Sequence, residues 1–283
     1  MLIPRNPMDL FNAAINSLLS LFFAAFSWAP PVLGLSVISA LVGIGMLWVF
    51  RKTSNQKGMK AVKRKVYASL LEMRVFADEP SVTWRSQKSL FAANFRYMGM
   101  ALRPALVMVL PVALLLIHLE AFYGRAPLPV GHEAVVTMAM SGPLDLAGAA
   151  QRLAPELKAP AGVSVESPAV RIADERQISW RIRPVTAGSA QLQFTVEGQP
   201  VGKTIESGAG QRFVPGRSVS GALPAIWDPD EKRIPSAAVE WIEVRYPEAG
   251  IEIFGLRLNW LVWFLLVSMA AALLLKKRFG VVL

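Results

Sequence analysis

The sequence predicts an α-helical membrane domain joined to an all-β domain of the Ig-like sandwich class, and three observations support this. Three apolar stretches have, or nearly have, the length needed to cross a bilayer. A strongly basic segment follows the first of them. Between the second and the third, residues 122–256 contain short runs in which apolar and polar residues alternate, as in β-strands.

Composition sets the limits of this prediction. The chain has 283 residues, is 53% hydrophobic and carries a formal net charge of +10. That length allows one membrane domain and one ordinary soluble domain. The absence of cysteine excludes disulfides, thiol catalysis and cysteine-based metal sites. The chain has two histidines, His118 and His132, which give few candidates for a zinc site or a histidine-based triad. We therefore expect a protein that is not an enzyme and has no cofactor or metal.

The three apolar stretches are predicted transmembrane helices. The first covers residues 31–50 and contains no charge. The second covers residues 104–121 and contains Pro111, so we expect it to be kinked or tilted. The third lies in residues 257–283, where Leu258–Leu275 is apolar and a basic tail follows. Each stretch is close to the roughly 20 apolar residues that cross a hydrocarbon core.

Charge predicts the orientation. Residues 51–103 hold 12 Lys or Arg and 3 Asp or Glu, a net charge of +9, whereas residues 122–256 hold more acidic than basic residues. Short basic loops stay in the cytoplasm. We therefore predict a multi-pass protein of the bacterial inner membrane, with its N-terminus outside, residues 122–256 in the periplasm and its C-terminus in the cytoplasm.

The basic cluster is interpreted as a topology anchor that contacts a bilayer with anionic head groups. Nucleic-acid binding is the alternative, and the flanking apolar spans argue against it as the primary role. The predicted anchor residues are Arg51, Lys52, Lys57, Lys60, Lys63, Arg64, Lys65, Lys276, Lys277 and Arg278.

Residues 1–30 are predicted to form an interfacial amphipathic helix on the outer leaflet. Within Met8–Phe26, apolar residues recur at helical spacing, while Asp9, Asn12, Asn16 and Ser20 lie on another face. The alternative is a signal peptide, against which the polar residues argue because they interrupt the apolar core.

Residues 51–103 are predicted to form a cytoplasmic, coiled-coil-like helical hairpin. Apolar residues repeat every three or four positions from Met59 to Phe76, which predicts a helix of about 25 residues. Pro80 ends it, because the residue before a proline disfavours helix. A second helix is expected over Ser81–Met100. The two apolar stripes are expected to pack together and leave a basic outer surface, and the stripe of the second helix contains Val82, Leu90, Phe91, Phe95 and Met98. The alternative is a loop that only packs on the membrane.

Residues 122–256 are predicted to form the periplasmic β-sandwich domain. Strands are expected at Glu133–Met140, Ile178–Val185, Ala190–Gly198 and Ala238–Tyr246, and Gly, Pro and Ser clusters separate them. One helix is expected at Asp145–Leu157.

Two short motifs in the same domain are candidate chemical sites. Trp227–Arg233, WDPDEKR, could hold a divalent cation, but it lacks the spacing of a calcium loop, and a solvated turn is the preferred interpretation. Gly208–Gln211, GAGQ, is interpreted as a turn because it lacks the lysine of a phosphate-binding loop.

The order of these parts resembles the YidC/Oxa/Alb superfamily of membrane protein insertases. It is closest to the three-span branch, which includes the insertase subunit of the ER membrane complex and archaeal relatives. The stretches that carry the resemblance are LVGIGMLWVFRKTSNQKGMKAVKRK, Leu41–Lys65, and YMGMALRPALVMVLPVALLLIHL, Tyr97–Leu119. The resemblance covers roughly half of the chain. It consists of the order of the segments and the position of prolines in the second span, Pro104 and Pro111.

The resemblance implies a groove between three helices, through which short polar segments of nascent membrane proteins cross while apolar helices enter lipid. It implies that the hairpin receives the substrate or a ribosome. The bacterial insertase has an arginine in its first core span, and Ser36–Phe50 has no charge. The remaining groove candidates are Ser36, Ser39, Gly43, Arg96, Arg103, Asn259 and Ser268.

Two alternatives stay open. The small residues of the first span could serve close packing between helices rather than a groove. The whole chain could be a membrane-anchored interaction protein, or an accessory subunit of a larger membrane complex, that displays the β-sandwich to a periplasmic or membrane protein partner. Helices packed tightly against each other would favour this second function, and a groove with a polar floor would favour insertion.

Overall fold

The computed structural model of the chain describes residues 7–26, 28–142, 155–221, 231, 233–253 and 255–281, without the side chains of residues 7–13. The chain divides into two compact units. The helical unit consists of Leu33–Ala113 and Leu261–Leu283, and the β unit consists of Met1–Val32 and Leu114–Trp260.

Five α-helices occur among the described residues, and a π-helix, Glu120–Gly124, directly follows the fourth. The α-helices are α1 Pro7–Ala25, α2 Pro31–Thr53, α3 Gln56–Val75, α4 Pro80–Leu119 and α5 Trp260–Leu275.

Two of the helical segments in the described part of the chain are long and apolar enough to cross a membrane, Pro31–Thr53 and Pro80–Gly124. The third predicted span is shorter than expected, because α5 has 16 residues. At 1.5 Å per residue such a helix is about 24 Å long, whereas the hydrocarbon core is about 30 Å thick.

Helix α4 differs from the prediction because the second helix of the hairpin and the second apolar stretch form one helix of 40 residues. Pro104 and Pro111 both lie inside it. Proline has a φ value compatible with an α-helix, and each proline removes one backbone hydrogen bond. The expected helix end at Met100 was therefore wrong, since neither proline interrupts the helix.

Helix α3 is shorter than predicted because α2 extends through Arg51 and Lys52 to Thr53. Asn55 then caps α3, since its side-chain Oδ1 accepts a hydrogen bond from the Gly58 N–H at 2.9 Å. Helix α3 ends at Val75, and α4 begins at Pro80, a residue favoured in the first turn of a helix.

Helices α2, α3 and α4 and the C-terminal tail share one small core in the helical unit. Its buried residues are Leu47, Phe50, Met59, Met108 and Val281. Phe279 also packs against this core, so the chain after α5 folds back against α2 and the start of α3.

The β unit contains eleven strands among its described residues, arranged in antiparallel sheets. The strands are β1 Ala134–Met140, β2 Glu156–Lys158, β3 Val163–Val165, β4 Val170–Ile172, β5 Gln177–Pro184, β6 Gly188–Val196, β7 Gln199–Ser207, β8 Arg217–Val219, β9 Val239–Val244, β10 Ile251–Ile253 and β11 Leu256–Leu258. In the six-stranded sheet, five strands have the order β3-β5-β1-β9-β8, and β4 also pairs with β5. A three-stranded sheet has the order β2-β6-β7, and β10 pairs with β11 in a two-stranded sheet.

The two larger sheets contribute to one hydrophobic core. Val136 and Ile178 enter it from the six-stranded sheet, and Phe194 and Ile205 enter it from the three-stranded sheet. Trp180 lies 5.2 Å from Phe194, ring centroid to ring centroid. The alternating burial of β1 and β5 follows from the period of two in a strand, which sends successive side chains to opposite faces.

Strands occupy the four places where alternation predicts them. The structure adds seven more, six of three residues each and β7 of nine residues. The helix expected at Asp145–Leu157 lies mostly outside the described residues, and its last two residues belong to strand β2. Of the motif Trp227–Arg233, the structure describes Glu231 and Arg233.

Candidate functional site

The small residues of α2 lie in a close contact with α5. A Cβ atom on Gly43 would clash with the backbone carbonyl of Ser268. Ser39 is fully buried, and its Oγ donates to the Leu35 carbonyl at 2.6 Å. Ser268 is also buried, and its Oγ donates to the Leu265 carbonyl at 3.1 Å. We call this contact the α2–α5 seam.

A second contact of the seam involves Ser36, whose Oγ accepts a hydrogen bond from Trp263 Nε1 at 2.9 Å. Ser36, Gly43 and Ser268 therefore take part in a helix–helix packing contact of the kind that small residues favour, and Ser39 lies buried one turn before Gly43.

The other three groove candidates lie elsewhere. Arg96 and Arg103 are exposed on α4, and Asn259 is exposed in the β unit, directly before α5. Sequence reasoning missed Trp263, and its position one helical turn into an apolar stretch gave no signal that its indole N–H bonds to a serine.

Small and polar residues contribute contacts between α3 and α4 in the hairpin. Ser69 and Ser86 are buried; Ser69 Oγ donates to Ser89 Oγ at 3.3 Å, and Ser86 Oγ donates to a Glu72 carboxylate oxygen at 2.7 Å. Met59 is also buried in this region. The prediction of two packed apolar stripes holds in part. Met59 and Val62 are buried, whereas the stripe residues that are exposed are Leu70, Phe76, Phe91, Phe95 and Met98.

The predicted lipid-head anchors are accessible. Lys63 and Lys276 are half-buried, and the other eight are exposed. Arg51 and Lys52 occupy the last turn of α2, where a positive charge interacts favourably with the helix dipole. The Lys52 ammonium also lies 6.0 Å from the Trp48 ring centroid, within the range of a cation–π contact.

The π-helix Glu120–Gly124 joins α4 to the strands of the β unit. The Ala121 carbonyl accepts from the Val214 N–H at 2.7 Å, and the Gly124 carbonyl accepts from the Ala249 N–H at 3.0 Å. π-Helices are rare and frequent at functional sites, so this junction is a second candidate region.

The Glu120 carboxylate is positioned by its neighbours. Trp260 Nε1 donates to Glu120 Oε2 at 3.0 Å. A side chain at Gly124 would meet this carboxylate, which would have to move aside. Two residues before Glu120, His118 is fully buried, and its Nδ1 lies 2.7 Å from the Leu114 carbonyl.

Aromatic residues hold α1 against this junction. The rings of Phe23 and Phe122 stack with centroids 3.8 Å apart. Tyr123 is buried, and its hydroxyl donates to the Pro31 carbonyl at 3.2 Å. Such rings combine a large apolar contact with a polar group, as at membrane–water interfaces.

A cleft of about 210 Å³ opens beside the π-helix. Its lining mixes both charges, with Glu120, Arg125, Glu243, Arg245 and Glu248 among the residues. Pockets that bind small molecules are commonly about 300–1,000 Å³ and mostly apolar. Among the described residues, no three His, Asp or Glu side chains are placed to hold a metal ion.

A buried ion pair lies in the β unit. The Lys203 side chain is fully buried and its Nζ lies 2.6 Å from Glu231 Oε2. Glu231 Oε1 accepts from the Thr204 N–H at 2.6 Å, and Ser218 Oγ also donates to this carboxylate. The solvated-turn interpretation is therefore wrong at Glu231.

The charge state of Glu231 follows from these contacts. Burial alone would raise the pKa of Glu231, but the Lys203 ammonium and hydrogen bonds from Lys203, Ser218 and Thr204 outweigh it and lower the pKa. The carboxylate is therefore ionised at neutral pH. Three acids in a short stretch suggested solvent exposure, and the sequence offered no signal for a lysine partner 28 residues earlier.

The chain matches no family model, no curated protein and no solved structure. Among the residues that the structure describes, the chain has two helices long and apolar enough to cross a membrane and a separate region of antiparallel sheets.

Proposed function

We propose that α2, α4 and α5 cross the bacterial inner membrane, with the N-terminus and the β unit outside and the hairpin in the cytoplasm. The length and apolarity of α2 and α4 support this, as do the exposed lysines and arginines of the hairpin. The short α5 requires local thinning of the bilayer or head-group contacts by Lys276 and Lys277. Helix α1 lies on the outer leaflet, and the two larger sheets form an Ig-like sandwich.

The protein acts, in this proposal, as a membrane protein insertase or membrane chaperone. The observation that supports this function most is the exposure of the apolar side chains of α4. Within Leu102–Pro111, all of which the structure describes, only Pro104 and Met108 are buried. A helix this exposed in an apolar segment leaves room beside it for another helix or for lipid. The YidC/Oxa/Alb-like layout of the chain supports the same function.

The proposed mechanism involves no covalent chemistry. An unsatisfied polar group in hydrocarbon costs several kcal/mol, so a site that shields short polar segments beside α4 would speed their crossing. Arg96 and Arg103 are the candidate groups that receive such segments at the cytoplasmic side, since the serines of the α2–α5 seam already have hydrogen bonds. Nascent membrane proteins, alone or on a ribosome, are the proposed substrates.

A second function is favoured by the seam itself. Gly43 and Ser268 pack closely, and this part of the bundle provides no polar groove floor. The β unit has its own core, which suits a domain displayed to a partner. The chain would then be a membrane-anchored interaction protein or an accessory subunit of a larger membrane complex.

Reconstitution separates the two functions. The purified protein in liposomes is supplied with a newly synthesised single-span protein whose short polar tail must cross the membrane into the liposome lumen. Insertase activity predicts protection of that tail from external protease well above the level in empty liposomes. Arg96→Gln with Arg103→Gln is expected to reduce the protection, while Arg171→Gln with Arg181→Gln in the β unit removes the same charge and serves as the control.

Depletion in cells provides the complementary measurement. Selective loss of small, few-span proteins from the membrane fraction supports insertion. An unchanged membrane proteome, together with tail protection no better than in empty liposomes, would refute insertion and leave the interaction function.

A further inference from the structure

Helix α4 carries an exposed apolar face that continues well beyond its predicted span. Trp84, Phe91, Phe95, Met98, Leu102 and Leu106 are separated by seven, four, three, four and four residues. At 3.6 residues per turn, this spacing puts all six on one side of the helix. Each is between 55% and 70% exposed. We call this face the α4 stripe.

Positive side chains border the stripe along one edge. Arg85, Arg96 and Arg103 each directly follow a stripe residue, so they lie about 100° around the helix from it. All three are exposed. The Lys88 ammonium lies 5.3 Å from the Trp84 ring centroid. The edge therefore has the charge that anionic phospholipid head groups attract, beside an apolar face.

We infer that the α4 stripe is a lipid-binding surface, and that the part of α4 before Leu102 lies in the anionic cytoplasmic leaflet rather than projecting into water. Continuity supports lipid as the occupant, because the stripe passes without interruption into the apolar segment that contains Leu106. This inference rests on the proposed membrane position of α4 and is independent of insertion activity.

A kink in α4 allows this arrangement. Pro104 and Pro111 lie inside the helix, and proline is a common cause of a helix kink. With the helix bent there, the residues before Leu102 lie along the cytoplasmic interface, with Arg96 and Arg103 beside the head groups, while the residues after Arg103 cross the hydrocarbon core. Trp84 then lies at head-group depth, the level at which tryptophan is enriched.

Site-directed spin labelling tests the inference on the full-length protein, which contains no cysteine. Single Phe91→Cys and Phe95→Cys variants carry a nitroxide in nanodiscs of phosphatidylcholine with phosphatidylglycerol. Asn94→Cys is the matched control, because Asn94 is exposed at nearly the same height but off the stripe. Collisions with oxygen report lipid, and collisions with a water-soluble nickel chelate report water.

The expected result is an oxygen-to-nickel collision ratio several-fold higher at Phe91→Cys and Phe95→Cys than at Asn94→Cys. In nanodiscs of phosphatidylcholine alone, the ratio at the two stripe positions should fall, and Arg85→Gln with Arg96→Gln should lower it in the anionic nanodiscs. Unchanged ratios in both comparisons would overturn the role of anionic lipid.

Other outcomes overturn the inference itself. Access of the nickel chelate to both stripe labels means that the stripe faces water. Exclusion of both reagents means that protein covers it, either a second copy of the chain or another partner. A label at Leu106→Cys distinguishes failure of the inference from failure of the proposed function. If this label reports water, the proposed membrane position of α4 is wrong. If it reports lipid while Phe91→Cys reports water, only the inference fails.

Discussion

Gly43 and Gly45 occupy the same helix in very different surroundings. Gly43 has no room for a side chain because the Ser268 carbonyl lies against it, whereas a methyl group added to Gly45 would point into open space, with no neighbouring element within 4 Å. The two glycines therefore provide a matched pair for testing the α2–α5 seam.

Gly43→Val is expected to destabilise the helical unit by about 1–3 kcal/mol, because an added side chain in a packed contact forces the helices apart. Gly45→Val should have little effect. Thermal unfolding of the full-length protein in detergent measures both. Equal melting temperatures for the two variants would contradict the seam.

The Lys203–Glu231 pair gives a second prediction at this scale. Glu231→Gln removes the carboxylate from a fully buried ammonium and should cost about 3–5 kcal/mol. Lys203→Met combined with Glu231→Gln should cost less, because no buried charge remains. Hydrogen exchange of the β7 amides in the full-length protein provides the readout, and a double variant that exchanges faster than Glu231→Gln would contradict the explanation.

The same pair predicts a pH dependence. Because folding lowers the pKa of Glu231, its contribution to stability is complete above the ordinary pKa of 4.5 and is lost as the pH falls through the lower folded value. The protection factors of the β7 amides, which are exchange rates corrected for the intrinsic effect of pH, should therefore fall in acid in the native protein. Glu231→Gln, which has no carboxylate to protonate, should lack this component; an identical acid response in both proteins would argue against it.

At the scale of elements, β7 shows how side chains close a sheet edge. Pro200 has no N–H, the Thr204 N–H donates to Glu231, and the Glu206 N–H donates to the Tyr246 hydroxyl at 3.1 Å. Burial raises the pKa of Tyr246, so this phenol stays neutral at physiological pH. Unpaired edge strands attract other chains, and these three devices remove donors that such a chain would need.

The hairpin depends on close contact at small residues. Ser86 is buried and bonds to Glu72, so Ser86→Leu should overpack the interface and cost about 1–3 kcal/mol. Arg85→Leu places a leucine at an exposed neighbouring position and is the control. Faster hydrogen exchange in α3 is expected for Ser86→Leu alone. Equal exchange in both variants would show that α3 does not depend on this contact.

At the scale of the whole molecule, the sequence predicts those features that depend on periodicity. Strands β1 and β5 follow from alternation, and α2 follows from its apolar length. Strand β7 was missed because Lys203 occupies an inward position, and only a distant carboxylate makes a buried lysine tolerable. The continuity of α4 was missed because proline usually ends a helix. The groove set stays a prediction, because helix spacing alone does not say which face of a helix packs.

The orientation of the chain is the last feature that charge alone predicts, and it is directly testable. Single cysteines at Lys60 in α3 and Gln199 in β7, both exposed, provide labelling sites in a chain without cysteine. If basic segments remain in the cytoplasm, a membrane-impermeant maleimide added to intact cells with a permeable outer membrane should label Gln199→Cys and spare Lys60→Cys. Lysis should make Lys60→Cys reactive, which controls for accessibility. Labelling of both sites from one side would show that the hairpin and the β unit share a compartment, and the proposed three-span arrangement would then be untenable.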